Sequence, residues 1–141
     1  ILESYRTIPI WPNAYFQGKV AGYQMVGMDR YHDEGGFMMN SIEVAHIPTI
    51  SVGLTNPPSG NGYQVIKKLD RQSNTYRKIV LKEDKIVGAL LTGQIDRAGI
   101  ITGLLRDGIK IKRFKKELMN EPFGFISLPK NLRKERLLNR I

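Results

Sequence analysis

At 141 residues and 16.0 kDa, with 41% hydrophobic and 25% charged residues, the chain can make one domain with a real core, or one domain plus a piece of another. No stretch approaches the roughly 20 apolar residues of a membrane helix, and no basic-then-apolar leader opens the chain. Without cysteine there is no disulfide, thiol nucleophile or thiolate metal site, which is compatible with a cytoplasmic location. The net charge of +9 is uneven: residues 110–141 carry ten Lys or Arg against three Glu, and the rest is nearly balanced. Ile1 in place of an initiator methionine hints at a processed or truncated chain.

An extended Ile8-Pro9-Ile10 leads into a helix over about residues 12–26. Pro12 fits its first turn, where the missing N–H costs nothing. Ala14, Gly18, Ala21 and Met25 follow at steps of four, three and four, so they share one helical face. Three of the four are nearly free of side chain, and Gly18 costs about 1 kcal/mol relative to Ala in a helix interior. Such a stripe suits tight packing against a sheet, or the close approach of a backbone or bulky ligand. Asp29 to Gly36 is polar and aperiodic, a loop.

From Phe37 the texture is that of strands. His46 to Gly53 is β-branched and roughly alternating, and Asn56 to Gly62 is a turn. Tyr63–Leu69, Tyr76–Lys82 and Lys85–Gly93 are three further strands, joined closely enough to form an antiparallel meander, with Glu83-Asp84 as a tight hairpin. A helix follows: Asp96 is expected as N-cap, Ala98, Ile101, Leu104 and Leu105 form its apolar side, and Gly108 marks its end. Ile109 to Met119 reads as a connector and another helix, Phe123 to Ile126 as an apolar segment, and the end as a basic helix or tail. Strands first and helices after, covering one face, predict an α+β domain.

The chemistry-bearing candidates do not assemble a self-sufficient active site. Gly60-Asn61-Gly62 lacks the third glycine and the strand-loop-helix setting of a dinucleotide loop. His32 and His46 have no ligand set around them, and Asp29, Asp33 and Glu34 read as a solvated loop. Ser41, Ser51 and Ser59 have no recognisable elbow or triad. No catalytic residue and no metal site is therefore assigned. The basic tail could attract phosphate, but no nucleic-acid motif accompanies it, and a solvated face on a terminal helix is preferred.

The run Trp11-Pro12-Asn13-Ala14-x-x-Gln17-Gly18-x-x-Ala21-Gly22-x-x-Met25-x-Gly27 resembles the closing helix of the FAD-binding domain in FAD-dependent pyridine nucleotide oxidoreductases, in the branch with NADH oxidases and the large subunit of NADH-dependent nitrite reductase. Met39-Asn40-Ser41 with Ile47 to Gly53 is similar to the family's link into its C-terminal domain. Tyr76 to Leu81 and Ile86 to Gly93 are similar to that domain's paired strands, and Asp96-Arg97-Ala98-Gly99 to the opening of its helix.

The resemblance implies the C-terminal part of an enzyme that takes hydride from NADH or NADPH onto FAD and passes electrons to an acceptor. Residues 1–36 would be the end of the FAD-binding domain, 37–126 an α+β C-terminal interface domain, and 127–141 the basic helix or tail. Trp11, Pro12, Asn13 and Ala14 would face the flavin edge, Asn13 and Ala14 through backbone N–H groups. The family's glycine-rich nucleotide loops lie upstream of Ile1, so this chain alone is expected to be inactive and without FAD. Its expected partners are the FAD and NAD domains of its own chain and a second subunit in a homo-oligomer, with no membrane and no nucleic acid. A stand-alone interaction module and a basic nucleic-acid binder are the rival readings. The electron acceptor and the choice between NADH and NADPH are not legible here, because the residues that decide them belong to other parts of such an enzyme.

Overall fold

The computed structural model describes residues 7–29, 32, 35–112, 114–120 and 123–138. It divides into two compact units, residues 1–39 and residues 40–141.

The first unit is built on helix α1, Trp11–Met25. Ile10 is its N-cap residue in extended conformation, and Pro12 occupies the first turn. Val26 to Met28 close the helix, with Gly27 at a positive φ of 75° and its N–H on the Gln24 carbonyl. Val20 is buried.

The second unit carries a five-stranded sheet of β1 (Met39–Val44), β2 (Ile47–Gly53), β3 (Tyr63–Asp70), β4 (Thr75–Lys82) and β5 (Lys85–Thr92), in the order β1-β2-β5-β4-β3. The expected meander is β3-β4-β5, antiparallel throughout. Its β4–β5 turn is Glu83-Asp84, both at positive φ (51° and 61°), as a two-residue hairpin that follows the strand twist requires. The sheet and its helices make the α+β fold expected from the sequence.

Three local expectations need correction. His46 does not begin a strand: Ala45 and His46, at φ 50° and 62°, are the turn between β1 and β2. Asn56 to Gly62, expected as a turn, is part of the longer connection 54–62 from β2 to β3. It crosses the sheet, because β2 lies beside β5 while β3 forms the opposite edge. At a β4–β5 irregularity beside Val80 and Leu81 the Val87 carbonyl accepts the Leu54 N–H at 2.8 Å, and the Leu54 backbone lies so close over Gly88 that no Cβ fits there. Helix α2, Ala98–Arg106, is capped not by Asp96 but from Arg97, without any side-chain cap. Asp96 stands one residue too early, and the Ile95 carbonyl accepts the Ala98 N–H instead.

The C-terminus of α2 behaves as expected. Gly108 at φ 59° sends its N–H to the Leu105 carbonyl while Ile109 bonds Leu104, both at 3.1 Å, a Schellman motif. The helix packs on β5 and β2 through its apolar side, with Ile101, Leu104 and Leu105 fully buried. Burial of each such side chain contributes about 1.5–3 kcal/mol.

By register Arg77, Ile79 and Leu81 of β4 share a sheet face with Leu91, Ala89 and Ile86 of β5 and Val52 of β2, all buried. After α2 the chain returns to this face as a layer containing Ile111, Phe114, Leu118, Phe123 and Leu128, also buried. Of the connector and helix expected over 109–119, the helix is reduced to a 3-10 turn at Glu117–Met119. The Ile111 N–H ties the layer to the Asp84 carbonyl at 2.8 Å, and the Phe114 and Phe123 rings stack 6.3 Å apart. Arg77, only 9% exposed, donates through Nη1 to the Leu118 and Asn120 carbonyls, both at 2.9 Å. A cation on the last carbonyls of a helical turn is favoured by both charge and hydrogen bonding. Helix α3 (Lys130–Leu138) follows; residues 139–141 of the basic tail lie outside the described residues.

Candidate functional site

The N-terminus of α1 holds the four residues singled out by sequence. A helix start leaves its first N–H groups without intrahelical acceptors, and here no side chain compensates: Ile10 makes no cap hydrogen bond, and the first turn holds no acidic residue. Pro12 has no N–H to give. The Ala14 N–H already donates to the Ile10 carbonyl at 3.1 Å. Of the two donors expected to face outward, then, Asn13 is the one the helix does not use, with the Trp11 N–H beside it. Asn13 is further placed by the loop after the helix. A Cβ on Gly36 would lie 2.6 Å from Asn13 Nδ2 and 2.8 Å from its Oδ1, so the Asn13 amide ends against the Gly36 backbone.

The side chains around this end face solvent. Trp11 is 78% exposed and stacks on Tyr15 at 5.6 Å between ring centroids. The small-residue stripe is equally open: Ala14, Gly18, Ala21 and Gly22 are exposed, Met25 is 86% exposed, and a Cβ on Gly18 or Gly22 would meet nothing within 4 Å. Phe16, Val26, Met28 and Met38 are exposed in the same unit. The uncapped, uncharged helix end can hold the negatively charged edge of a ligand, since its N–H groups and the macrodipole act in the same direction.

The remaining candidates stay apart. His32 lies 3.9 Å from Asp29 and His46 3.3 Å from Glu43, both exposed pairs; Asp33 and Glu34 fall outside the described residues. Among the described residues no group of three His, Asp or Glu side chains could hold a metal. No helix among them is long and apolar enough to cross a membrane. The role of Arg77 is not legible from its neighbours in the chain, because its carbonyl partners lie more than 40 residues away. An arginine in a strand that is otherwise apolar toward the core was the available signal.

A helix with an open, small-residue face is thus followed in the chain by an antiparallel sheet on which α2 packs. The model of the Rubredoxin NAD+ reductase C-terminal domain matches residues 39–109, and the chain belongs to that family. The NAD(P)H nitrite reductase of Bacillus subtilis (strain 168) is 28% identical over 110 residues, which are 78% of this chain and 13% of that protein. The crystal structure of NADH:rubredoxin oxidoreductase from Clostridium acetobutylicum superposes with a TM-score of 0.51 at 25% identity, covering 72% of this chain and 26% of that one. The chain thus spans a small part of each of these relatives. The resemblance read from the sequence holds.

Proposed function

We propose that this chain is the C-terminal part of a flavoprotein oxidoreductase, as its family membership and the open face of α1 together support. The observation that carries the reading is the uncapped start of α1, with Trp11 and Asn13 N–H groups unused by the helix and a small-residue face whose Gly18 and Gly22 have open space beside them among the described residues. In the whole enzyme FAD accepts hydride from NAD(P)H and passes electrons to an acceptor. The role of this chain is to bring the α1 N-terminus to the flavin's pyrimidine edge. There the Asn13 N–H, the Trp11 N–H and the helix dipole favour negative charge. Gly18 and Gly22 let the helix lie close to the FAD-binding part of the same polypeptide. The sheet unit covers the active site and contributes to a homo-oligomer interface, and the enzyme works in the cytoplasm.

The test is to purify the longest natural polypeptide containing this sequence, and the 141-residue chain beside it. The longer protein is expected to carry flavin, absorbing near about 450 nm, and to oxidise NADH or NADPH; the chain alone is expected to do neither. A longer protein without flavin, or a chain that binds flavin stoichiometrically and turns over, overturns the reading.

A further inference from the structure

Among the described residues no strand pairs with the outer edge of β3. β3 is the last strand of the sheet and pairs along its whole length with β4, so its alternate outward N–H and C=O groups have no strand beyond them. Among the described residues no backbone hydrogen bond reaches that edge from elsewhere. Eight residues of open edge is a long template, and its side chains carry a pattern. Val65, Lys67 and Leu69 are exposed on one face, and Gln64 and Lys68 on the other.

Across β3 and β4, basic residues face basic residues. Lys67 stands directly opposite Lys78, and Lys68 opposite Arg77. Like charges directly opposite one another across strands are destabilising. The Lys78 ammonium donates to Asn56 Oδ1 at 3.0 Å, and Arg77 is turned to the Leu118 and Asn120 carbonyls. Asp70 feels the charge of Lys68, but its carboxylate is engaged by Ser73 and the Gln72 N–H. None of the ion pairs among the described residues includes Lys67, Lys68 or Lys78.

We infer that the β3 edge receives an extended acidic segment of a partner protein as a sixth strand, with two neighbouring carboxylate residues opposite Lys67 and Lys68 and apolar residues opposite Val65 and Leu69. Neighbouring residues of a strand point to opposite faces. Two consecutive acids therefore reach both lysines at once, while main-chain hydrogen bonds hold the strand. A second copy of this chain is the weaker occupant, because β3 paired with β3 about its Lys67-Lys68 centre brings lysines against lysines, and no register sets a carboxylate opposite both lysines. A nucleic acid fits poorly as well: the Tyr63 ring lies under Lys82 at 5.3 Å rather than free for a base, and Val65 and Leu69 offer nothing to phosphate. This inference does not depend on the flavoprotein reading.

The probe is a labelled peptide, Thr-Val-Glu-Glu-Val-Val-Thr, followed by fluorescence anisotropy with the chain, beside its Lys-Lys counterpart and a 15-nucleotide oligo-dT. The acidic peptide is expected to bind the native chain and to slow amide exchange across residues 63–70. Binding should drop about tenfold or more in the double variant Lys67→Glu, Lys68→Glu, which should take the Lys-Lys peptide instead. The neutral double variant Lys67→Gln, Lys68→Gln should fall between, and circular dichroism verifies that both variants fold. No binding at about 1 mM peptide, equal binding by native and charge-reversed chains, unprotected β3 amides, or tighter binding of oligo-dT would each overturn the inference. In the first case the lysines serve only to keep an edge strand from aggregating.

Discussion

Replacing Gly18 separates a helix that merely lacks side chains from one built to be covered. Gly18 lies mid-way along α1, and a Cβ there meets nothing within 4 Å. In this chain Gly18→Ala therefore has no steric cost, and it gains the difference in helix propensity, about 1 kcal/mol. Gly18→Leu gains only slightly less. Far-UV ellipticity at the helix band and thermal unfolding of the 141-residue chain should both show the gain. In the intact polypeptide the same face is proposed to lie against the flavin-binding part, where an added side chain overpacks the contact at about 1–3 kcal/mol, more for leucine. Gly18→Leu should then reverse sign, lowering the melting temperature and the flavin content of the purified enzyme. If Gly18→Leu leaves flavin content and melting temperature untouched in the intact protein, α1 is not packed through this face, and the argument from the stripe is wrong.

Three further outcomes test the sheet unit. Gly88→Ala should destabilise by about 3 kcal/mol or more in urea unfolding, because the new methyl would sit 2.9 Å from the Leu54 nitrogen and closer still to its carbonyl. Arg77→Met keeps the apolar stem but frees the Leu118 and Asn120 carbonyls. It should cost about 2–4 kcal/mol and speed tryptic cleavage at Lys115 and Lys116; an unchanged urea midpoint and digestion rate would refute the clamp. The Asp70 carboxyl is held below its ordinary value of 3.8 by the Ser73 hydroxyl first, then by the Gln72 and Ser73 N–H groups. Its contribution to stability is accordingly present above that ordinary value and lost as pH falls through the lowered one. A carboxyl titration by NMR with a midpoint at or above 3.8 would remove it.

What could be read in the chain was what neighbours decide. Glu83-Asp84 leaves β4 and β5 no choice but to pair, Gly108 ends α2 with its N–H on the Leu105 carbonyl, and Pro12 starts α1; each acts within a few residues. The small-residue face of α1 was likewise written in its spacing. The order of strands was not, since placing β2 beside β5 depends on Leu54 crossing Gly88, a contact of residues 34 apart whose signal is one missing methyl. Neither was the layer over the sheet, held by Arg77 through carbonyls that any sequence carries. At the candidate site the sequence picked out Trp11 to Ala14, but only the helix start itself showed which N–H is taken. Ala14 bonds Ile10, and Asn13 is placed by Gly36. Propensity and turn chemistry are local and leave their mark on composition. Close approach of backbones and the sharing of donors are settled only once distant segments meet.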